Sequence, residues 1–67
     1  MGITLRAARV NKGLSQENAA QLLGVTKYTV SNWERGKSYP SVTHLKNIEK
    51  AYGIKYDNII FLPANYA

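Results

Sequence analysis

Residues 16–35, QENAAQLLGVTKYTVSNWER, carry the strongest structural signal in the sequence. Two segments with apolar residues at helical spacing flank a short turn that contains Gly24. Ala20 is small enough for two helices to cross closely, and Gly24 permits the positive φ of a tight turn. Apolar residues occupy the positions that would face inward: Ala19, Leu23, Val25, Val30 and Trp33. The spacing predicts a helix-turn-helix, although a helical hairpin that serves only as scaffold would need similar residues.

Hydroxyl residues and glycines divide the rest of the chain into further helices. Thr4 is expected to cap a first helix that ends near Lys12. Ser15 and Thr26 are expected to cap the two helices of the helix-turn-helix, and Ser41 a fourth helix that ends at Gly53. The inner stripe expected for the fourth helix consists of Val42, Leu45, Ile48 and Tyr52.

A short fifth helix is expected over residues 57–62. No valine- or isoleucine-rich alternating stretch suggests a strand. The sequence therefore predicts an all-α fold, a compact five-helix domain over residues 1–62, with an irregular tail at residues 63–67.

The composition favours a nucleic-acid partner. Nine of the 67 residues are Lys or Arg and four are Asp or Glu, which gives a net charge of +5 at pH 7 and attracts polyanions. With no cysteine and one histidine, no metal site is expected. No nucleophile–base pairing suggests an enzyme, and no cofactor is expected. No segment reaches the roughly 18 apolar residues of a membrane span, so a cytoplasmic protein is expected.

The outward side of the second helix of the helix-turn-helix is polar or cationic. It carries Lys27, Tyr28, Ser31, Asn32 and Arg35, with Lys37 just beyond. In a major groove, Lys can read guanine, Asn can pair with adenine, and Tyr can contact a thymine methyl group. A solvated helix face is the alternative for such residues taken singly. No acid lies among them, and Glu34 is expected to be the only acid nearby.

Four motifs together resemble a known family. They are R-x-x-x-G-L-S-Q at residues 9–16, L-G-V-T at 23–26, V-S-N-W-E-R-G-K at 30–37 and P-S at 40–41. Over roughly residues 3–62 the chain resembles the Cro/repressor type of helix-turn-helix domain, which has the lambda-repressor-like fold. Phage repressors and many bacterial regulators contain this domain.

The resemblance implies a role for individual residues. Arg9 and Glu34 would form an ion pair that joins the first and third helices. Bases would be read by Lys27, Tyr28, Asn32 and Ser31. The resemblance assigns phosphate contacts to Gln16, Lys37, Ser38 and Tyr39. Thr26, at a helix N-terminus where phosphates bind, is expected to contact a phosphate as well, and so are Thr29 and Arg35.

The resemblance also implies a function, that of a sequence-specific regulator of transcription that binds double-stranded DNA. A Cro-like or prophage-type repressor is expected, which would read a palindromic operator as a homodimer at the nucleoid of a bacterial or phage-infected cell. No small-molecule ligand is expected. The alternative is an antitoxin-like or other protein-interaction module whose helix-turn-helix only autoregulates.

The apolar run over residues 59–62 is a candidate dimer surface. A short helix can bury only part of it inward, and Phe61 and Leu62 fit a core position and a dimer contact equally well. In the Cro/repressor family, pairing commonly uses the region around the fifth helix or beyond it.

The chain departs from the usual pattern of the family in three ways. Glu49 stands where a small alanine is usual in the fourth helix, and it should cost stability unless it reaches solvent or pairs with Lys46 or Lys50. Lys55 replaces the usual hydroxyl cap of the fifth helix, which leaves Asp57 to serve that N-terminus. Ala8 and Ala19 are smaller than usual, so Trp33 is expected to fill the core.

Overall fold

The helices follow the order that the sequence predicts. The computed structural model describes residues 2–62. Helix α1 spans Leu5–Asn11, α2 spans Gln16–Leu23, α3 spans Lys27–Glu34 and α4 spans Val42–Tyr52. Within the described residues no helix is both long and apolar enough to cross a membrane.

Each of the four α-helices within residues 2–62 begins at a hydroxyl side chain that accepts a hydrogen bond from a backbone N–H three residues later. Such a bond satisfies one of the N–H groups that the first helical turn leaves without a partner. The pairs are Thr4 with Ala7, Ser15 with Asn18, Thr26 with Thr29 and Ser41 with His44, at 3.0–3.3 Å. These caps are the predicted ones, and they fix the start of every α-helix.

The prediction of a fifth helix over residues 57–62 is wrong. A 3₁₀ turn, η1, occupies Tyr56–Asn58, and Ile59–Ile60 forms a short strand, β2. Strand β2 pairs in parallel with β1 at Ile3–Thr4, in the register Ile3 with Ile59 and Thr4 with Ile60. Ile59 is buried and Ile60 is half exposed, which is the alternation of a strand. The fold described for residues 2–62 is therefore mostly helical with a small two-stranded sheet.

The core lies between the helices and the buried face of this sheet. Ala8 and Ala19 are buried, and Trp33 packs in the same cluster with Ile48 and Tyr52. The predicted inner stripe of α4 is confirmed at Ile48 and Tyr52, which are buried, while Leu45 is half-buried. It is wrong at Val42, which is 70% exposed because the first residue of α4 faces away from the core.

Glu49 stabilises the start of η1 rather than pairing with a lysine. Its Oε2 accepts a hydrogen bond from the backbone N–H of Tyr56 at 2.8 Å. Lys55, at the N-cap position, makes no capping bond with its side chain. The carboxylate of Glu49 thus satisfies an N–H at the start of η1, a role that the sequence analysis gave to Asp57.

A largely buried ion pair joins α1 to α3. Arg9 Nε lies 2.6 Å from Glu34 Oε2, and the two side chains are 9% and 5% exposed. Arg9 Nη2 donates to Glu34 Oε1, Arg9 Nη1 donates to the carbonyl of Leu14, and Gln16 Nε2 donates to Glu34 Oε1. The two charges therefore have hydrogen-bond partners from α1, the turn after it, α2 and α3.

Replacement of Glu34 by Ala should lower the free energy of unfolding by about 3 kcal/mol, because it leaves the Arg9 guanidinium buried without its counter-charge. Urea unfolding followed by Trp33 fluorescence measures the change. The matched control is Glu17→Gln, which removes an exposed carboxylate and should cost less than about 1 kcal/mol. Equal effects of the two substitutions would contradict the structural role of the Arg9–Glu34 pair.

Tyr52 should make the fold sensitive to alkaline pH. Burial, with a smaller contribution from the Glu34 carboxylate, raises the pKa of Tyr52 to about 12. In the unfolded chain this pKa is about 10. The contribution of Tyr52 to the free energy of unfolding is therefore complete below pH 10, and it is lost as the pH rises toward 12.

At pH 11 the free energy of unfolding should be about 1.4 kcal/mol lower than at pH 8 because of Tyr52. The measurement is urea unfolding at a series of pH values for the wild type and for Tyr52→Phe, which lacks the titrating group. An alkaline loss of the same size in both proteins would show that Tyr52 does not cause it.

Candidate nucleic-acid interface

The turn between α2 and α3 sets the geometry of the helix-turn-helix. Gly24 ends α2 with φ of +70°, a left-handed conformation that glycine adopts without strain. The backbone N–H of Val25 donates to the carbonyl of Ala20 at 3.0 Å, which closes the turn. Four of the five predicted inward apolar residues are buried, and Val25 is half-buried. The two helices pack against each other through these residues, and the opposite side of α3 is exposed in its first turn.

The residues predicted to read bases lie along the outer side of α3, and we call Lys27, Tyr28, Ser31 and Asn32 the reading face. Lys27 and Tyr28 are exposed in the first turn, and the Tyr28 side chain is 80% exposed. Ser31 and Asn32 are half-buried one turn later. The structure therefore brings these residues together on one side of a short helix, with the most exposed ones at its N-terminus.

The start of α3 is held by a pair of hydroxyl groups. Thr26 Oγ1 accepts from the backbone N–H of Thr29, and the two side-chain oxygens lie 3.1 Å apart. Thr26 is exposed and Thr29 is half-buried. Two of the predicted phosphate contacts are thus adjacent at a helix N-terminus, where hydroxyl and N–H donors favour anions.

The loop after α3 is anchored to the end of the helix. The carbonyl of Asn32 accepts from the backbone N–H groups of Lys37 and Ser38, at 2.9 and 3.5 Å. Lys37, Ser38 and Arg35 are exposed, and Arg35 Nη2 lies 3.4 Å from Asn32 Oδ1. Three predicted phosphate contacts therefore surround the C-terminal end of α3.

Gln16 occupies the first position of α2 and is half-buried. Its Nε2 donates to Glu34 Oε1 at 3.1 Å. An amide nitrogen carries two hydrogens, so one remains to donate to an acceptor outside the protein. The bond to Glu34 orients the Gln16 amide relative to α3.

Tyr39 has a partner inside the protein that the sequence did not reveal. Its hydroxyl donates to the carbonyl of Leu62 at 2.9 Å, and its ring meets the ring of Phe61 edge-on, with centroids 6.1 Å apart. Phe61 also packs against the core cluster. Because phosphate oxygens only accept hydrogen bonds, a phosphate contact by the Tyr39 hydroxyl would require exchange of the bond to Leu62.

Glu17 is an acid beside the reading face that the sequence analysis missed. Its Oε1 lies 3.7 Å from Lys27 Nζ. The expectation that Glu34 is the only acid near the outer side of α3 is therefore wrong. The two charges are ten positions apart in the sequence, and the turn at Gly24 brings the starts of α2 and α3 together.

His44 packs on the core rather than at a reactive site. Its ring lies 5.2 Å from that of Trp33 at an angle of 52°, and its Nδ1 is 3.1 Å from Ser41 Oγ. Residues 2–62 contain no group of three or more His, Cys, Asp or Glu side chains arranged to hold a metal ion.

Comparison with known proteins agrees with this geometry. A family model described as helix-turn-helix matches residues 5–59. The HTH-type transcriptional activator BcrR of Enterococcus faecalis is 38% identical over 56 residues, which cover 84% of this chain and 28% of BcrR. The HTH-type transcriptional regulator PuuR of Escherichia coli K12 is 34% identical over 62 residues, 92% of this chain and 34% of PuuR.

A relative of similar length comes from Methanothermobacter thermautotrophicus. This uncharacterized HTH-type transcriptional regulator is 34% identical over 62 residues, which cover 92% of this chain and 90% of that protein. By contrast, the chain spans only about a third of the length of BcrR and PuuR. The packing of α2 against α3 agrees with this match, and the match over residues 5–59 identifies the chain as a member of the Cro/repressor-type helix-turn-helix family of DNA-binding transcription regulators, which are not enzymes.

Proposed function

We propose that this chain binds double-stranded DNA in a sequence-specific manner by placing α3 in the major groove. The observation that carries the proposal is the reading face, where four side chains able to contact bases lie together on the solvent side of one helix. The exposure of Tyr28 supports it, because an aromatic ring in water gains contact area when it packs against a thymine methyl group. Binding to chromosomal DNA would place the protein at the nucleoid.

Within this proposal, Lys27, Tyr28, Asn32 and Ser31 read base edges. Residues at the N-termini of α2 and α3 and at the C-terminal side of α3 hold the DNA backbone. They are Gln16, Thr26 and Thr29 at the helix N-termini, and Arg35, Lys37, Ser38 and Tyr39 after α3. Contacts of the first kind supply specificity, and contacts of the second kind fix register and supply affinity that depends on salt.

We further propose that the chain acts as a homodimer on a palindromic operator, as a repressor of the Cro-like or prophage type. The apolar segment that ends the described chain supports pairing, because Ile60 is 49% exposed and Leu62 is only half-buried. Phe61 and Leu62 are the proposed dimer contacts. A dimer of this kind would place its two copies of α3 about 34–36 Å apart, in successive major grooves. A repressor of this kind acts by occupying a promoter.

Replacement of Asn32 by Ala should cost about 1–3 kcal/mol of binding free energy on the DNA sequence that the wild type selects, and little on random duplex. The side chain carries no charge, so its loss leaves the electrostatic attraction unchanged. Fluorescence anisotropy with labelled duplexes measures both affinities. Asn47→Ala, the same change on the exposed side of α4, is the control. Equal losses on the two DNAs would remove Asn32 from the base-reading set.

Replacement of Lys37 by Met should weaken binding to selected and random DNA alike, because a phosphate contact is independent of sequence. The slope of log K against log salt should fall in magnitude by about one. Lys50→Met removes the same charge from the exposed end of α4 and should leave the slope nearly unchanged. If Lys37→Met also left the slope unchanged, Lys37 would not contact a phosphate.

A further inference from the structure

The ion pair between Glu17 and Lys27 has no evident role in stabilising the fold. Lys27 Nζ and Glu17 Oε1 are 3.7 Å apart, and the two side chains are 56% and 72% exposed. Ion pairs that water surrounds contribute little to folding free energy. The pair does, however, involve the first residue of the reading face, so its effect falls on what Lys27 is able to bind.

Glu17 differs from the other three acids of the chain in its surroundings. Glu34 is buried against Arg9, Glu49 accepts from the backbone of Tyr56, and Asp57 lies in η1. Within residues 2–62, Glu17 is the acid whose carboxylate lies within 4 Å of a cation on the reading face. A carboxylate so close to a DNA-binding surface repels phosphates and weakens binding. A gain in sequence specificity would compensate for this loss of affinity.

A lysine ammonium is a point charge on a flexible stem, so it binds any phosphate within reach. Such contacts strengthen binding to DNA of any sequence. A phosphate that takes Lys27 must separate it from Glu17 and must approach the carboxylate. The guanine O6 and N7 atoms are neutral acceptors, which Lys27 can reach without that repulsion. The ion pair therefore penalises binding to phosphate more than binding to base.

We propose that Glu17 is a specificity-determining residue that positions Lys27 and withholds its ammonium group from phosphates. Glu17 thereby weakens binding to random DNA more than binding to the operator. This inference rests on the proposed function, because it assigns Lys27 to the reading face.

The test is the substitution Glu17→Gln, which keeps the shape of the side chain and removes its charge. Binding to random duplex should strengthen about threefold to fivefold. Over about 50–200 mM salt, the slope of log K against log salt should steepen by about one, because the released Lys27 neutralises one more phosphate. The ratio of selected-site to random affinity should fall. In a Lys27→Met background, Glu17→Gln should leave the slope unchanged.

The control for net charge is Asp57→Asn, which removes a negative charge from η1 and should not steepen the slope. The inference is overturned if Glu17→Gln leaves the slope unchanged, or if it steepens the slope equally without Lys27. It is also overturned if Asp57→Asn reproduces the effect. A wild type that prefers no sequence would contradict the proposed function instead, while the slope on random duplex would still decide the role of Glu17.

Discussion

The ion pair between Arg9 and Glu34 holds the first three helices of this small fold in one arrangement. Glu34 is the last residue of α3, and its carboxylate receives bonds from Arg9 in α1 and from Gln16 at the start of α2. The same arginine donates to the carbonyl of Leu14, in the turn that joins those two helices. One carboxylate therefore links the end of α3 to both preceding helices.

This arrangement matters for recognition because a reading helix must be presented at a fixed angle and height. The buried side of α3, with Val30 and Trp33, packs into the core, and the bonds at Glu34 fix its C-terminal end. Its N-terminal end is fixed by the Thr26 cap. With both ends held, the side chains of the reading face sit on a rigid element, which recognition by direct contact requires.

The sequence was informative wherever a structure depends on neighbouring residues. Hydroxyl caps and glycine stops predicted the four α-helices, since both act within one helical turn. The two-stranded sheet could not be predicted, because two-residue strands carry no measurable alternation and Ile3 meets Ile59 from opposite ends of the chain. The same limit applies to the bond from Tyr39 to Leu62 and to the proximity of Glu17 and Lys27, which depend on how separate elements pack. The roles of individual residues on DNA came from the family resemblance and the chemistry of the exposed face, and they stay predictions.

We infer that two copies of α3 read a specific DNA sequence in successive major grooves. Selection from a pool of randomised duplex DNA at moderate salt, followed by sequencing of the retained duplexes, tests it most directly. We expect enrichment of a palindrome whose half-sites lie about 10–10.5 base pairs apart, centre to centre. Enrichment of one isolated half-site would contradict the paired arrangement, and retention without any sequence preference would contradict base reading by α3.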